Sequence, residues 1–374
     1  MRAYVDARCL QEPHFAERGI GFHAVGLMRQ AKRFFGSRLE IVGLIDDRLG
    51  PLPNRIRQLI DRCQGHFEGV GGDERGLFIQ LSPSTHDQAP IAHLLACPQI
   101  LSAAVVYDFI PLEEPARYLR TSAQRRAYLT SLVWLKQYDH YFPISHWTAG
   151  RLREILGVNR SAVSVTGAGV RSTLSHAGLV PIECGREYFL AVGGSDPRKN
   201  VEAAVKALAL LVVRMRQRVH LVLVGDYGPA HCARLQAIFH KLGGKPGLLE
   251  FRQGVSDPEL SALYQGAIAT VCPSRMEGFS LPIAEAVSCG SSVIAANCPA
   301  QEELLADEES LFAPDDHERL SHLMERLLCE PERRGQLYER HRWMASHFAE
   351  AKVAERFWQP LLDGFFSLSA RRAG

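Results

Sequence analysis

Short apolar runs rich in β-branched and aromatic residues alternate with longer stretches of helical periodicity along this chain. The chain opens MRAYVDARCL, an alternating, strand-like pattern, and continues with EIVGLID at 40–46, GLFIQLS at 76–82, AAVVYDFIPL at 103–112 and YFPIS at 141–145. After SHAGLVPIECGRE the same rhythm restarts, with YFLAVGG at 188–194, HLVLVGD at 220–226, LLEFRQGV at 248–255, AIATVCPS at 267–274 and SSVIAA at 291–296. Strand alternating with helix predicts a parallel sheet, and the restart predicts two of them. The expected boundary lies near residues 175–186. A length of 374 residues suits two domains of about 150 to 200 residues each. The fold class is therefore α/β, with two doubly wound halves facing a central crevice. Such sheets bind ligands outside the carboxyl ends of their strands.

Polar motifs fall where those strands end. In LAVGGSDPRKNVEAAVKALALL a strand stops at Gly193-Gly194, and Arg198 and Lys199 stand at the mouth of a helix with Asn200 near its cap. Bare helix-start amides, the helix dipole and two cations make an anion site in outline; a glycine turn with an exposed basic pair is the plainer alternative. FRQGVSDPELSALYQGA gives a strand, a turn at Gly254-Val255 and a helix capped by Ser256 or Asp257 with Glu259 in its first turn, a structural pattern. RMEGFSLPIAE, 275–285, sets Glu277 and Glu285 eight positions apart across a tight Gly-Phe-Ser-Leu-Pro corner.

The amino-terminal half offers two weaker motifs. Gly19-Ile-Gly21-Phe-His-Ala24 formally fits the dinucleotide pattern G-x-G-x-x-A, but CLQEPHFAER separates it from the first strand and no acidic residue follows at the right interval. A mobile glycine loop whose amides approach a phosphate or sugar is the preferred reading. Tyr107 and Asp108 end the AAVV strand, where Asp108 can bind a hydroxyl or accept a proton, or simply cap the next turn while Tyr107 packs.

Composition narrows the class. With 22% charged and 46% hydrophobic residues and a formal net charge of +2, nothing points to nucleic acid. Nine scattered cysteines without a C-x-x-C pair read as reduced thiols of a cytoplasmic protein. The start carries no signal-peptide pattern, and no run of about 18 apolar residues is present. The absence of D-x-D, H-x-x-x-H and G-x-S-x-G predicts neither a metal-held diphosphate nor a serine-hydrolase elbow, so no metal and no cofactor are expected.

With these pieces assembled, the chain resembles the family 4 retaining glycosyltransferases of the GT-B fold, of the bacterial polysaccharide mannosyltransferase type. The carrying residues are GIG at 19–21, VVYDFIPLEEP at 105–115, PISHWTAGRL at 143–152, GAGV at 167–170, GGSDPRKN at 193–200 and EGFSLPIAEAVSCGSSVIAAN at 277–297, the last containing the E-x(7)-E signature. The resemblance implies an acceptor-binding domain over 1–180, completed by a carboxy-terminal helix at about 346–374 that crosses back to it, and a donor-binding domain over 181–345. It also implies that Glu285 binds the ribose of a nucleoside diphosphate sugar and that Glu277 lies at the transferred sugar. Arg198 and Lys199 then meet the diphosphate beside Gly193 and Gly194, Gly254 and Val255 read the base, and Gly278, Phe279, Ser280 and Leu281 contact donor sugar and phosphate. Gly19 and Gly21 match the loop that closes over the donor, with Tyr107 and Asp108 nearby. Glu303 matches a recurrent glutamate without an assigned role. Two positions depart from the family: Tyr107 stands where histidine is common, and Ser280 where glycine is frequent.

The implied reaction moves a hexosyl group, mannose-type from a GDP-sugar as best guess, to a hydroxyl of a glycan or lipid-linked glycan. No enzyme nucleophile is evident, so the preferred route is front-face attack, with retention and the leaving phosphate oxygen as base. A nucleotide-sugar epimerase and a non-catalytic sugar-nucleotide-binding subunit are the alternatives. Arg29, Lys32, Arg33, Arg120, Arg125, Arg126 and Lys136 lie among aromatics in 26–38 and 116–137, a composition compatible with peripheral contact with an anionic membrane or with a solvated helix face.

Overall fold

Among the described residues, twelve strands form two six-stranded sheets. The first holds β1 (Arg2–Asp6), β2 (Glu40–Leu44), β3 (Arg62–Gln64), β4 (Gly76–Gln80), β5 (Ile100–Val106) and β6 (His140–Pro143). The second holds β7 (Tyr188–Val192), β8 (His220–Val224), β9 (Leu249–Arg252), β10 (Thr270–Cys272), β11 (Val293–Ala296) and β12 (Leu311–Phe312). The computed structural model describes residues 1–65, 75–174 and 187–371, with side chains through 367. The boundary expected near 175–186 lies outside those residues.

The first sheet runs β3-β2-β1-β4-β5-β6 and the second β12-β11-β10-β7-β8-β9. Counted from its own first strand, each has the order 3-2-1-4-5-6, and every pairing is parallel. This is the doubly wound order of dinucleotide-binding folds, whose switch point lies between the first and fourth strands. Helices cover both faces, which explains why strands such as AAVV and HLVLV read as continuous apolar runs rather than alternating ones. The edge strands β3 and β12, three and two residues long, are too short to leave such a run and escape detection in the sequence.

The chain divides into two units: Met1–Gly169 with the segment from Glu350 onward, and Val170–Ala349. In the first, Tyr4, Val42, Phe78, Leu132 and Leu152 belong to one buried core. The final helix, Glu350–Arg371, belongs to this unit. Its Phe357 ring lies 4.4 Å from that of Phe142, the Trp358 indole donates to the Leu27 carbonyl at 3.0 Å, and Glu350 accepts from Arg29 at 2.8 Å and Gln30 at 2.9 Å. In the second unit the core joins Phe189, Leu208, Leu221, Leu223, Phe239 and Met324.

The two switch points differ chemically. In the first sheet, Asp6 at the end of β1 takes both Arg8 Nε, at 2.9 Å, and Nη2, at 2.7 Å, and accepts from Gln80 at the end of β4 at 2.7 Å. Gln80 also donates to Gln88, and Tyr138 does the same from the other side at 3.1 Å. Asp6, Arg8, Gln80 and Gln88 are all buried. That position is filled by a satisfied polar network of the chain itself, which is why its burial is tolerated. The second switch point carries the candidate site.

Candidate active site

Beyond β7 the chain turns at Gly193 and Gly194. Gly194 has φ +136°, and its amide donates to the Tyr227 hydroxyl at 3.2 Å. Gly225, at the end of β8, allows this close approach, since a Cβ there would meet the Gly193 carbonyl carbon at 2.8 Å. Asp196 then caps a short 3-10 turn, Pro197–Lys199, by accepting from the Arg198 amide at 2.9 Å. Asn200, at φ +51°, breaks that turn into the helix Val201–Met215, and its side-chain amide donates to the carbonyls of Pro273 at 3.1 Å and Pro314 at 2.8 Å. Asn200 thereby ties the segment after β7 to the segment after β10. The Arg275 amide adds a tie to the Arg198 carbonyl at 2.9 Å.

That stitching brings Arg198 and Lys199 onto Glu277, about eighty residues away in sequence. Arg198 Nη1 and Lys199 Nζ each donate to a separate Glu277 oxygen at 2.6 Å, and Arg198 also reaches the Met276 carbonyl at 2.8 Å. Glu277 is buried, with 8% exposure. Burial alone would push its carboxyl up, but Lys199 and Arg198, with a hydrogen bond from Ser274, hold it down at about 2. Arg198 Nε also lies 3.6 Å from Asp196 Oδ2, so two cations stand here against the buried Glu277 and the partly exposed Asp196. The amides of Arg198 and Lys199 are already taken, by the Asp196 side chain and carbonyl. The helix itself starts two residues after Lys199, at Val201, and its N-cap Asn200 makes no side-chain cap bond, so the expected helix-start amides are those of Val201 onward.

The corner after Glu277 is rigid. Gly278, Phe279 and Ser280 are buried, and Phe279 packs edge-on against Phe348 at 4.8 Å. Ser280 caps the helix Leu281–Ser288 at φ +84°, a left-handed conformation that glycine adopts freely and that costs other residues roughly 1–2 kcal/mol. Its hydroxyl donates to the fully buried Gln301 at 3.0 Å, whose amide nitrogen reaches the Ala296 and Cys272 carbonyls. The departure from glycine is thus a strained position compensated by a buried hydrogen bond.

Glu285, within the helix, is also buried. Tyr264 donates to its Oε2 at 3.0 Å and Arg171 to its Oε1 at 3.3 Å. Burial pushes this carboxyl up, against the pull of Arg171 and Tyr264. Gly254, at φ +62°, is exposed, with open space where a Cβ would stand, and Val255 follows it half-buried. Ser256 and Glu259 form the expected capping box of Asp257–Gly266.

In the amino-terminal unit, Gly19 and Gly21 are not a loop. They form the first turn of the helix Gly19–Phe35, and a Cβ on Gly21 would lie 2.4 Å from the Ala16 carbonyl oxygen, so this glycine serves close packing. Asp108 Oδ1 accepts from the Ile110 amide at 3.0 Å, the capping alternative. The Tyr107 hydroxyl donates to the Ile20 carbonyl at 3.4 Å, and its ring meets the buried His23 edge-on at 5.9 Å. Burial lowers His23 to about 4, so an uncharged imidazole stands beside the tyrosine that replaces the family's histidine. His23, Arg171, Tyr264 and Gln301 were not singled out in the sequence. Of these only Arg171 had a cue, directly after the GAGV segment.

Two parallel doubly wound sheets, with two cationic side chains at the switch point of the second, define a GT-B glycosyltransferase fold. The UDP complex of Anabaena Alr3699/HepE superposes on 97% of this chain and 99% of its own, with a TM-score of 0.70 at 14% identity, a likeness of fold. Residues 180–344 match the model of the family described as glycosyl transferases group 1. The serotype-specific mannosyltransferase WbdA of Escherichia coli is 27% identical over 277 residues, 71% of this chain and 33% of WbdA. The O-antigen chain mannosyltransferase B of Escherichia coli is 34% identical over 141 residues, 37% of this chain and 36% of that one. The chain spans about a third of the length of these curated relatives. Among the described residues, no helix is long and apolar enough to cross a membrane.

Proposed function

We propose that this chain is a retaining, metal-independent hexosyltransferase of polysaccharide biosynthesis, using a nucleoside diphosphate sugar and a glycan or lipid-linked glycan acceptor. The observation that carries the reading is the Arg198–Glu277–Lys199 group at the second switch point, two cationic side chains held in place by a buried carboxylate, of the kind a leaving diphosphate requires. As the sugar C1–O bond to the leaving phosphate breaks, the diphosphate gains negative charge, which Arg198 and Lys199 neutralise. The acceptor oxygen bonds to C1 on the same face, and its proton passes to the departing phosphate oxygen. Glu277 spends both oxygens on the two cations, which favours a positioning role over direct contact with the sugar. Glu285 is proposed to accept the ribose hydroxyls. The mannosyltransferase relatives support mannose as the transferred sugar, and GDP-mannose is the proposed donor. Neither an epimerase nor a non-catalytic subunit draws support from these relatives.

Melting shifts with GDP, UDP, ADP and TDP identify the base, and product analysis with the matching donor sugars identifies the reaction. Transfer with retained anomeric configuration is expected. Binding without turnover for any donor and acceptor overturns the catalytic reading, and a trapped glycosyl-enzyme overturns the front-face route.

Peripheral membrane contact is proposed for one helix only. Of Arg29, Lys32 and Arg33 in 26–38, the first two are paired with Glu350 and Asp61, which leaves the exposed Arg33 outside these pairs and makes this segment the weaker candidate. In the helix Ser122–Leu135, Leu129 and Val133 are 53% and 65% exposed, one turn apart, and Arg120, Arg125, Arg126 and Lys136 are exposed around them. An apolar pair ringed by cations suits an anionic lipid surface. Salt-sensitive co-sedimentation with phosphatidylglycerol vesicles is expected, and should weaken in a Leu129→Ser/Val133→Ser variant. Equal recovery with neutral vesicles, or none with either, rejects it.

A further inference from the structure

Glu285 does not meet its ligand as a lone carboxylate. Arg171 bridges it to Asp257, donating through Nη2 to Glu285 Oε1 at 3.3 Å and through Nη1 to Asp257 Oδ1. The Thr173 hydroxyl holds the other Asp257 oxygen at 2.5 Å. Next to Arg171, the Val170 amide is pinned to the Phe348 carbonyl at 2.8 Å, which fixes where the arginine starts. The Arg171 side chain is only 15% exposed and that of Glu285 9%.

An ionised carboxylate has about four acceptor positions. Tyr264 and Arg171 occupy one on each oxygen, leaving one on each. A pair of neighbouring hydroxyls, each donating one bond, matches what remains. A protonated carboxyl would instead present a donor to one of them. Of the titratable and charged groups around Glu285, namely Arg171, Tyr264, Asp257, Cys272 and Cys289, Arg171 supplies the positive charge.

We infer that Arg171 is a positioning residue for nucleotide recognition: braced by Asp257 and Thr173, its guanidinium orients the Glu285 carboxylate and balances its charge so that both oxygens accept from the ribose diol. The inference rests on the proposed reading of Glu285 as the ribose contact. It adds a residue from the start of the carboxy-terminal unit to the donor site. Burial already favours the neutral acid at Glu285, and removing Arg171 strengthens that preference, so ribose affinity should then fall as the pH falls.

The test compares GDP with 2′,3′-dideoxy-GDP, and UDP with 2′,3′-dideoxy-UDP, by calorimetric titration between about pH 6 and pH 8.5. Wild type is expected to prefer the ribonucleotide by about tenfold or more at every pH, the size of a charge-assisted hydrogen bond. Arg171→Gln should lose most of that preference at low pH and recover part of it at high pH, with dideoxynucleotide binding little changed. Arg171→Lys should restore much of the wild-type profile, and Arg171→Met should repeat the glutamine result and serves if the glutamine variant folds poorly. A wild-type preference at all pH values in the glutamine or methionine variant overturns the inference. If Glu285→Gln keeps the full ribose preference, the ribose reading of Glu285 falls and Arg171 with it. If wild type binds neither GDP nor UDP, the nucleotide reading itself falls.

Discussion

Lys199→Ala is expected to lower kcat by about a hundredfold to a thousandfold while changing the Kd for the nucleoside diphosphate far less. The ground-state donor already carries diphosphate charge, which Arg198 and the remaining site can hold. What grows along the reaction is the charge on the leaving oxygen, and an interaction that strengthens with it acts on kcat. Lys199 suits this role because Glu277 holds its ammonium at 2.6 Å and its side chain stays 20% exposed, so it is fixed before the donor arrives yet open to it. Steady-state kinetics together with nucleotide titration check the prediction. Equal losses in kcat and affinity would assign Lys199 to uniform binding instead.

Glu277→Ala should have the largest effect on stability. It leaves two largely buried cations without their shared counter-ion, a change worth roughly 3–5 kcal/mol. The acid limb of the stability curve gives a second readout. The Glu277 carboxyl lies at about 2 in the folded protein against an ordinary 4.5, so its contribution is complete above 4.5 and disappears as the pH falls from there towards 2. Glu277→Gln should be less stable at neutral pH and flatter over that acid window, measured by denaturant unfolding. Added diphosphate should recover part of the loss, because it binds the folded state and supplies negative charge to the stranded cations. An acid limb identical to wild type would show that the carboxylate does not hold the pair.

Much of this was legible because the interior strands of buried parallel sheets are written as unbroken apolar runs with glycines and charges at their ends. HLVLVGD and YFLAVGG announce β8 and β7 and their carboxyl edges, and the E-x(7)-E signature marks the corner after β10. What was not legible depends on contacts between distant segments. Nothing near Glu277 says that its oxygens belong to Arg198 and Lys199; that follows from β7 and β10 being neighbours. Gly19 and Gly21 were misread because glycines without a side-chain cap look like a loop, whereas Gly21 is required by the approach of Ala16 to the helix. Ser280 shows in the sequence only as a departure from glycine, because a sequence does not display φ.

The assignment of the last helix to the first unit bears on how the protein is made. Val170–Ala349 is contiguous, so every residue of that unit is present once Ala349 has left the ribosome. The earlier unit cannot be completed then, since Phe357, Trp358 and Leu361, all buried, come after the whole of Val170–Ala349 in the chain. The unit holding Met1–Gly169 is thus finished after the one that follows it, and during translation its core must wait for a segment that starts more than 180 residues after Gly169.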